Sequence, residues 1–88
     1  MLDGKDKILL SNLLKEASDM FRNRGCNDIN DTYYKNWTDE EIKEFNHKLN
    51  VYNGISDAKN TEYVKNAYRY DWWVMGYFAD IMLILGDV

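Results

Sequence analysis

The amino-acid sequence predicts an all-α fold, a small bundle of three to four helices with a buried C-terminal helix. Apolar residues recur at helical spacing in several segments, no strand-like alternation of useful length occurs, and the chain contains no proline. With 88 residues, 45% of them hydrophobic, the chain can build one core and little more. We therefore expect residues 1–88 to form a single helical domain.

The first helix is predicted from Lys5 to Arg24, where the apolar side chains form one stripe. The stripe consists of Leu9, Leu10, Leu13, Leu14, Ala17, Met20 and Phe21. Asp3 or Gly4 can begin this helix, and Gly25 stands where a capping residue with a left-handed backbone is favoured. Gly25 therefore has a structural role before any functional one.

Residues 26–37 have no helical periodicity, which predicts an ordered connector between the first two helices. Asn27 and Asp28 are expected to bond to nearby backbone groups, as Asn and Asp do in turns. If Asp28 began an EF-hand calcium loop, the sixth position would be Tyr33, where that loop needs glycine, so a calcium site is not favoured here. The only cysteine, Cys26, is expected to pack as a small apolar residue.

A capping box predicts where the second helix begins. Thr38 would accept a hydrogen bond from the amide of Glu41, and the Glu41 side chain would accept one from the amide of Thr38. The helix is expected over Asp39–Tyr52 and to end at Asn53-Gly54, a pair typical of turns. A short helix is then predicted over Glu62–Arg69.

The last helix is predicted over Trp72–Leu85, with Asp71 as its cap. Its sequence, WWVMGYFADIMLIL, is apolar on nearly every side, which is typical of the central, buried helix of a small bundle. Consecutive residues point about 100° apart on a helix, so Trp72 and Trp73 are not expected to be wholly buried together. Either one of them faces a partner, or both pack against the first two helices.

Aromatic and arginine side chains compose a candidate partner-binding surface, because Trp, Tyr and Arg are enriched at interface hot spots. The predicted partner-binding residues are Tyr33, Tyr34, Trp37, Arg69, Tyr70, Trp72 and Trp73. The predicted structural residues of the connector and the following cap are Gly25, Cys26, Asn27, Asp28, Thr38 and Glu41.

Catalytic chemistry and a bound metal or cofactor are not expected. Cys26 follows the C-terminal end of a helix, where the negative end of the dipole disfavours a reactive thiolate. His47, the sole histidine, lies on the predicted face opposite Ile42 and Leu49 and is expected to be solvated. One histidine and one cysteine are too few for a tetrahedral zinc site. We therefore predict that the protein is not an enzyme.

The charge balance and the lone cysteine limit the partners and the compartment. A formal net charge of −4 disfavours direct nucleic-acid binding, which depends on Lys and Arg at phosphates. The longest apolar run, residues 72–85, is interrupted by Asp80 and is shorter than the roughly 20 residues that cross a bilayer, so no membrane contact is expected. A single cysteine is typical of a reducing cytoplasm.

Two segments resemble elements of a family of small uncharacterised proteins of bacteriophages and prophages. Residues 17–28, ASDMFRNRGCND, are similar to its ASDxFxNxGCND element, and residues 71–79, DWWVMGYFA, are similar to its DWxxMxxFA element. The resemblance implies a phage protein in the cytoplasm of a bacterial host cell, and it implies no mechanism.

A phage context favours a binding protein that inhibits a bacterial host protein, most of all a component of antiphage defence, by occluding its surface in an anti-CRISPR-like or other counter-defence role. A second hypothesis is an oligomeric sponge for a cyclic-nucleotide immune signal, with bases stacked on aromatic rings and phosphates held by Arg22, Arg24, Lys35 or Arg69. A structural or accessory phage protein is a third. A homodimer or higher oligomer is compatible with each.

Overall fold

The computed structural model describes residues 3–26, 37–59 and 67–85. The helices are α1 (Gly4–Asn23), α2 (Asp39–Ala58), a short 3-10 helix (Ala67–Arg69) and α3 (Trp72–Leu85). These three segments contain no strand, which confirms the predicted all-α fold. Of the short helix predicted over residues 62–69, only the 3-10 helix falls within the described residues.

Helix α1 begins at the predicted N-terminal cap. The Asp3 carboxylate accepts a hydrogen bond from the amide of Asp6, with 2.8 Å between Oδ1 and N. This bond is the main reason why the pKa of the Asp3 carboxyl lies below its ordinary value. The sequence therefore predicts this end of α1 correctly.

Helix α1 ends in a Schellman motif around Gly25. Gly25 has a φ of 69° and donates its amide hydrogen to the carbonyl oxygen of Arg22. The amide of Cys26 donates to the carbonyl oxygen of Phe21 at 2.9 Å. Only glycine adopts this backbone conformation without strain, so the predicted capping role of Gly25 is confirmed.

Helix α2 begins with the predicted capping box. The amide of Glu41 donates to Thr38 Oγ1 at 3.1 Å, and the amide of Thr38 donates to Glu41 Oε1 at 3.2 Å. The Arg24 guanidinium also donates to the Glu41 carboxylate, which joins the end of α1 to the start of α2. Desolvation opposes ionisation of Glu41, but the bonds from Thr38 and Arg24 outweigh it and lower the pKa of the carboxyl.

Helix α2 ends at Ala58, so the prediction that it stops at Asn53-Gly54 is wrong. Tyr52 and Ser56 lie one turn apart and are both buried, and Ile55 packs against the core. Burial of this last stretch outweighs the weak helix propensity of Asn and Gly, as tertiary packing commonly does.

The extension of α2 predicts that Gly54→Ala stabilises the protein. Gly54 is exposed and helical, and no heavy atom lies within 4 Å of the position that a Cβ would take. Alanine should raise the free energy of unfolding by about 0.5–1 kcal/mol, measured by urea denaturation. Gly25→Ala, at a positive φ, should lower it instead. A loss of stability in Gly54→Ala would contradict a helix that continues through residue 54.

The core lies between the helices, and α1 runs antiparallel to α3. Its buried apolar side chains are Leu10, Leu13, Leu14, Ala17, Phe21, Cys26, Phe45, Tyr52, Ala67, Tyr68, Met75, Ala79 and Met82. The Ser18 hydroxyl donates to the carbonyl oxygen of Trp72 at 2.6 Å. Two turns further along α3, Asp80 pairs with Lys15, which precedes Ser18 on α1.

Helix α3 is buried on one face only. Met75, Ala79 and Met82 are at most 1% exposed, whereas Trp73 and Tyr77 are each 62% exposed. The predicted burial of the C-terminal helix therefore holds for the face that contacts α1 and the core. Nothing in the described segments covers the opposite face, because only one long helix packs extensively against α3. None of the described helices is both long enough and apolar enough to span a membrane.

Candidate interaction surface on α3 and the α1/α3 groove

The outward face of α3 presents two large aromatic side chains. Trp73 and Tyr77 are four residues apart, so they lie one turn apart on the same side of the helix. Both are well exposed, although aromatic residues of this size usually contribute to a core. Asp80 lies on the same side, one turn beyond Tyr77. This face therefore has the composition of an interface centre with a charged edge.

Trp72 points toward the bundle and Trp73 points away from it. Trp72 is half-buried and packs against the core, and the Arg22 guanidinium lies 5.8 Å from the centre of its ring. Trp73 is mostly exposed. The prediction that the two tryptophans cannot be buried together is confirmed, and the outward one is Trp73.

A groove of about 540 Å³ runs between α1 and α3. Helix α1 contributes Lys15, Ser18, Asp19 and Arg22, and α3 contributes Trp72, Trp73, Gly76, Tyr77 and Asp80. Aromatic rings and charged groups thus line the same depression. We call this set of nine residues the α1/α3 groove.

The charges of the groove are balanced. Lys15 Nζ lies 3.4 Å from Asp80 Oδ1, and Arg22 Nη2 lies 2.9 Å from Asp19 Oδ1. All four side chains are substantially exposed, so each pair stabilises the fold by at most about 1 kcal/mol. These groups can therefore exchange their partners for those of an incoming molecule at little cost to the fold.

Gly76 forms a depression in the wall of the groove. It lies in the middle of α3, where glycine costs roughly 1 kcal/mol relative to alanine. No heavy atom comes within 4 Å of the position of a Cβ, so no close contact in the described part of the chain requires glycine there. A glycine without an internal packing role, beside Trp73 and Tyr77, permits close approach of another molecule.

The exposed groups at the N-terminal end of α3 form a second feature. Arg69 ends the 3-10 helix and Tyr70 follows it, two residues before α3 begins. Tyr70 is 47% exposed, and its ring lies 5.1 Å from that of Phe78. Together with Trp73 they form what we call the aromatic end, consisting of Arg69, Tyr70 and Trp73. Three of the predicted partner-binding residues are thus exposed near the start of α3.

Trp37 is partly buried and packs against the core, and its role at a partner surface stays a prediction. Its indole Nε1 donates to Cys26 Sγ at 3.1 Å, and its ring meets those of Phe21 and Phe45 edge-on, with centroids 6.2 and 5.7 Å away. Cys26 is 2% exposed, as expected of a small apolar residue. The other predicted residues of the connector, Tyr33, Tyr34, Asn27 and Asp28, lie outside the described residues.

Gly76, Tyr77 and the α1 side chains of the groove were not among the predicted partner-binding residues. The four-residue spacing of Trp73 and Tyr77 is a signal that could have added Tyr77, since it places both on one helix face. No sequence signal places Lys15 or Arg22 beside α3, because their proximity to it depends on how the two helices pack.

Side chains that could ligate a metal are not clustered in the described part of the chain. In residues 3–26, 37–59 and 67–85, no group of three or more His, Cys, Asp or Glu side chains could hold a metal ion. The Ser18 hydroxyl donates to a backbone carbonyl, and His47 is exposed on α2, away from the groove. Comparisons of the chain with protein-family models, curated proteins and solved structures give no match.

Proposed function

We propose that the protein is a non-enzymatic, phage-encoded binding protein that inhibits a bacterial host protein by occluding its surface. The observation that carries the proposal is the aromatic end, where Arg69, Tyr70 and Trp73 are all exposed. These are the three residue types most enriched at the energetic centres of protein interfaces. The target we favour is a component of antiphage defence in the host cytoplasm.

The aromatic end is suited to binding because its side chains are partly ordered in advance. The ring of Tyr70 rests on that of Phe78, and Trp73 is anchored on the first turn of a 14-residue helix. Side chains held in place before binding lose less conformational entropy when a partner arrives. The phage context is supported by the resemblance of residues 17–28 and 71–79 to the two family elements.

A cyclic-nucleotide sponge has less support from the geometry. Arg24 pairs with Glu41, whose carboxylate also caps α2, so a phosphate at this cation would have to displace a carboxylate that the helix cap uses. Lys35 lies outside the described residues. The balanced charges of the groove favour a protein surface over a phosphate-rich ligand.

Affinity capture from a bacterial host lysate tests the proposed function. The immobilised chain should retain a stoichiometric host protein at physiological salt, identified by mass spectrometry. A Tyr70→Ser, Trp73→Ala double variant should bind that protein on the order of 1,000-fold more weakly, because two hot-spot residues that each contribute roughly 2 kcal/mol together contribute about 4 kcal/mol.

A matched control is Leu9→Ser, which changes an exposed apolar side chain of α1 outside the groove and should leave capture unchanged. Recovery of no stoichiometric partner from the host would count against the proposal. So would equal capture by the double variant and the unmodified chain.

A further inference from the structure

The α1/α3 groove carries both a projection and a depression. The Tyr77 ring projects from α3, while its neighbour Gly76 leaves open space where a side chain would be. Two copies that meet through a two-fold axis must each present both complementary features on one face. This face meets that requirement, since the depressions of the two copies can meet while each Tyr77 ring packs beside them.

The charges of the groove can also pair with the charges of a second copy that is related by a two-fold axis through Gly76. Arg22 lies over Trp72, and Asp80 lies two turns further along α3, so residue 76 is the midpoint between residues 72 and 80. A two-fold axis through Gly76 that sets the two α3 helices antiparallel therefore brings Arg22 of one copy opposite Asp80 of the other. The chain carries a net charge of −4, and this balanced face is one on which two acidic copies can meet without repulsion.

Apolar side chains extend the same face beyond Asp80. Leu83 follows Gly76 by seven residues, and Ile8 precedes Lys15 by seven, so each shares a helix side with a groove residue. Leu83 is 44% exposed and Ile8 is 56% exposed. Because α1 and α3 are antiparallel, the two positions lie toward the same end of the helix pair and add apolar area that another molecule can cover.

We propose that the α1/α3 groove binds a second copy of the same chain, forming a two-fold homodimer in which antiparallel α3 helices cross at Gly76. The two Gly76 positions face each other at the axis, and the Tyr77 ring of each copy packs beside them against the α3 helix of the other. Trp73 belongs to both the groove and the aromatic end, so the dimer covers part of the surface that would bind a target. The dimer goes beyond the proposed function and does not depend on it.

Sedimentation equilibrium of the purified chain over a wide concentration range tests the dimer, and the expected mass is that of two chains. Gly76→Leu should be monomeric, with dimer affinity reduced at least about 100-fold, because its side chain fills the depression. The variant should fold, since leucine favours helix more than glycine does and no described heavy atom lies within 4 Å of the Cβ position. Gly54→Leu, at the exposed helical glycine of α2, is the matched control and should remain dimeric.

A charge exchange tests the arrangement of the two copies. Arg22→Asp alone and Asp80→Arg alone should each be monomeric, because each places like charges opposite one another across the two-fold axis. An equimolar mixture of these two variants should form a heterodimer, in which every such contact joins opposite charges.

Three results would overturn the proposal: a monomeric unmodified chain, a Gly76→Leu variant as dimeric as the unmodified chain, or a mixture of charge variants that stays monomeric. A monomeric chain whose capture of a host protein is abolished by Gly76→Leu would assign the groove to that protein instead. Loss of the dimer with capture intact would leave the proposed function standing.

Discussion

Replacement of Phe45 by alanine is expected to remove much of the stability of the protein. Phe45 is 1% exposed, and its ring lies 5.1 Å from that of Phe21, 5.7 Å from Trp37 and 5.6 Å from Tyr68. The Phe45 ring therefore connects α2 to α1, to Trp37 and to the 3-10 helix. Removing a buried phenylalanine costs about 3–5 kcal/mol, whereas a domain of this length has roughly 4–13 kcal/mol in total. Urea denaturation followed by circular dichroism should show an unfolding midpoint at a much lower urea concentration than in the unmodified protein.

The control for Phe45→Ala is Leu9→Ala, which shortens a side chain that is 43% exposed. This change should lower the free energy of unfolding by well under half of the loss in Phe45→Ala, because leucine at this site gives up less buried area. Equal losses in the two variants would show that the aromatic cluster does not hold the three elements together.

Local signals made both ends of α1 and the start of α2 predictable. Asp3, Thr38 and Glu41 form caps from side chains to backbone amides within three residues, and Gly25 supplies a positive φ at a helix end. These interactions need no information from distant parts of the chain. The start of α2 and both ends of α1 were therefore expected to within a residue or so.

The end of α2 and the place of Trp37 could not be predicted in this way. Residues 53–58 continue the helix because Tyr52, Ile55 and Ser56 face the core, and the core is built from other helices. Trp37 is held by Cys26, eleven residues earlier, through a bond that forms only when the first two helices are in place. In both cases a contact between distant residues outweighs a local preference.

The candidate surface was predicted in composition but not in arrangement. Helix α3 is apolar almost all round, so its periodicity does not distinguish the side that will be buried. Packing against α1 decides this, leaving Trp73 and Tyr77 outside and drawing Lys15 and Arg22 to the same groove. The sequence could indicate an interface residue among the tryptophans, but the choice of Trp73 depends on which face α1 covers.

Stability is expected to fall steeply in alkaline solution because two tyrosines are buried in contact. Tyr52 is 0% and Tyr68 1% exposed, and their ring centroids are 5.0 Å apart. Burial raises the pKa of both hydroxyls well above the ordinary value of 10.0. Their contribution to stability is complete below pH 10. Above it the unfolded chain loses two protons that the folded chain keeps, so the free energy of unfolding should fall by about 2.7 kcal/mol per pH unit.

Phenylalanine variants separate this effect from other alkaline titrations. The pKa of Lys48 is raised mainly by its hydrogen bond to Glu16, so this ion pair between α2 and α1 also weakens at high pH. Tyr52→Phe should halve the contribution of the tyrosines to the slope of the unfolding free energy against pH. The double variant, Tyr52→Phe with Tyr68→Phe, should remove that contribution and leave the contribution of Lys48. The Tyr68 hydroxyl donates to the carbonyl oxygen of Leu13, so Tyr68→Phe also removes a hydrogen bond at every pH. The comparison is therefore between slopes of the unfolding free energy against pH, measured in urea, and not between the free energies themselves. A double variant with the slope of the unmodified chain would mean that the two hydroxyls ionise as readily in the folded protein as in the unfolded one.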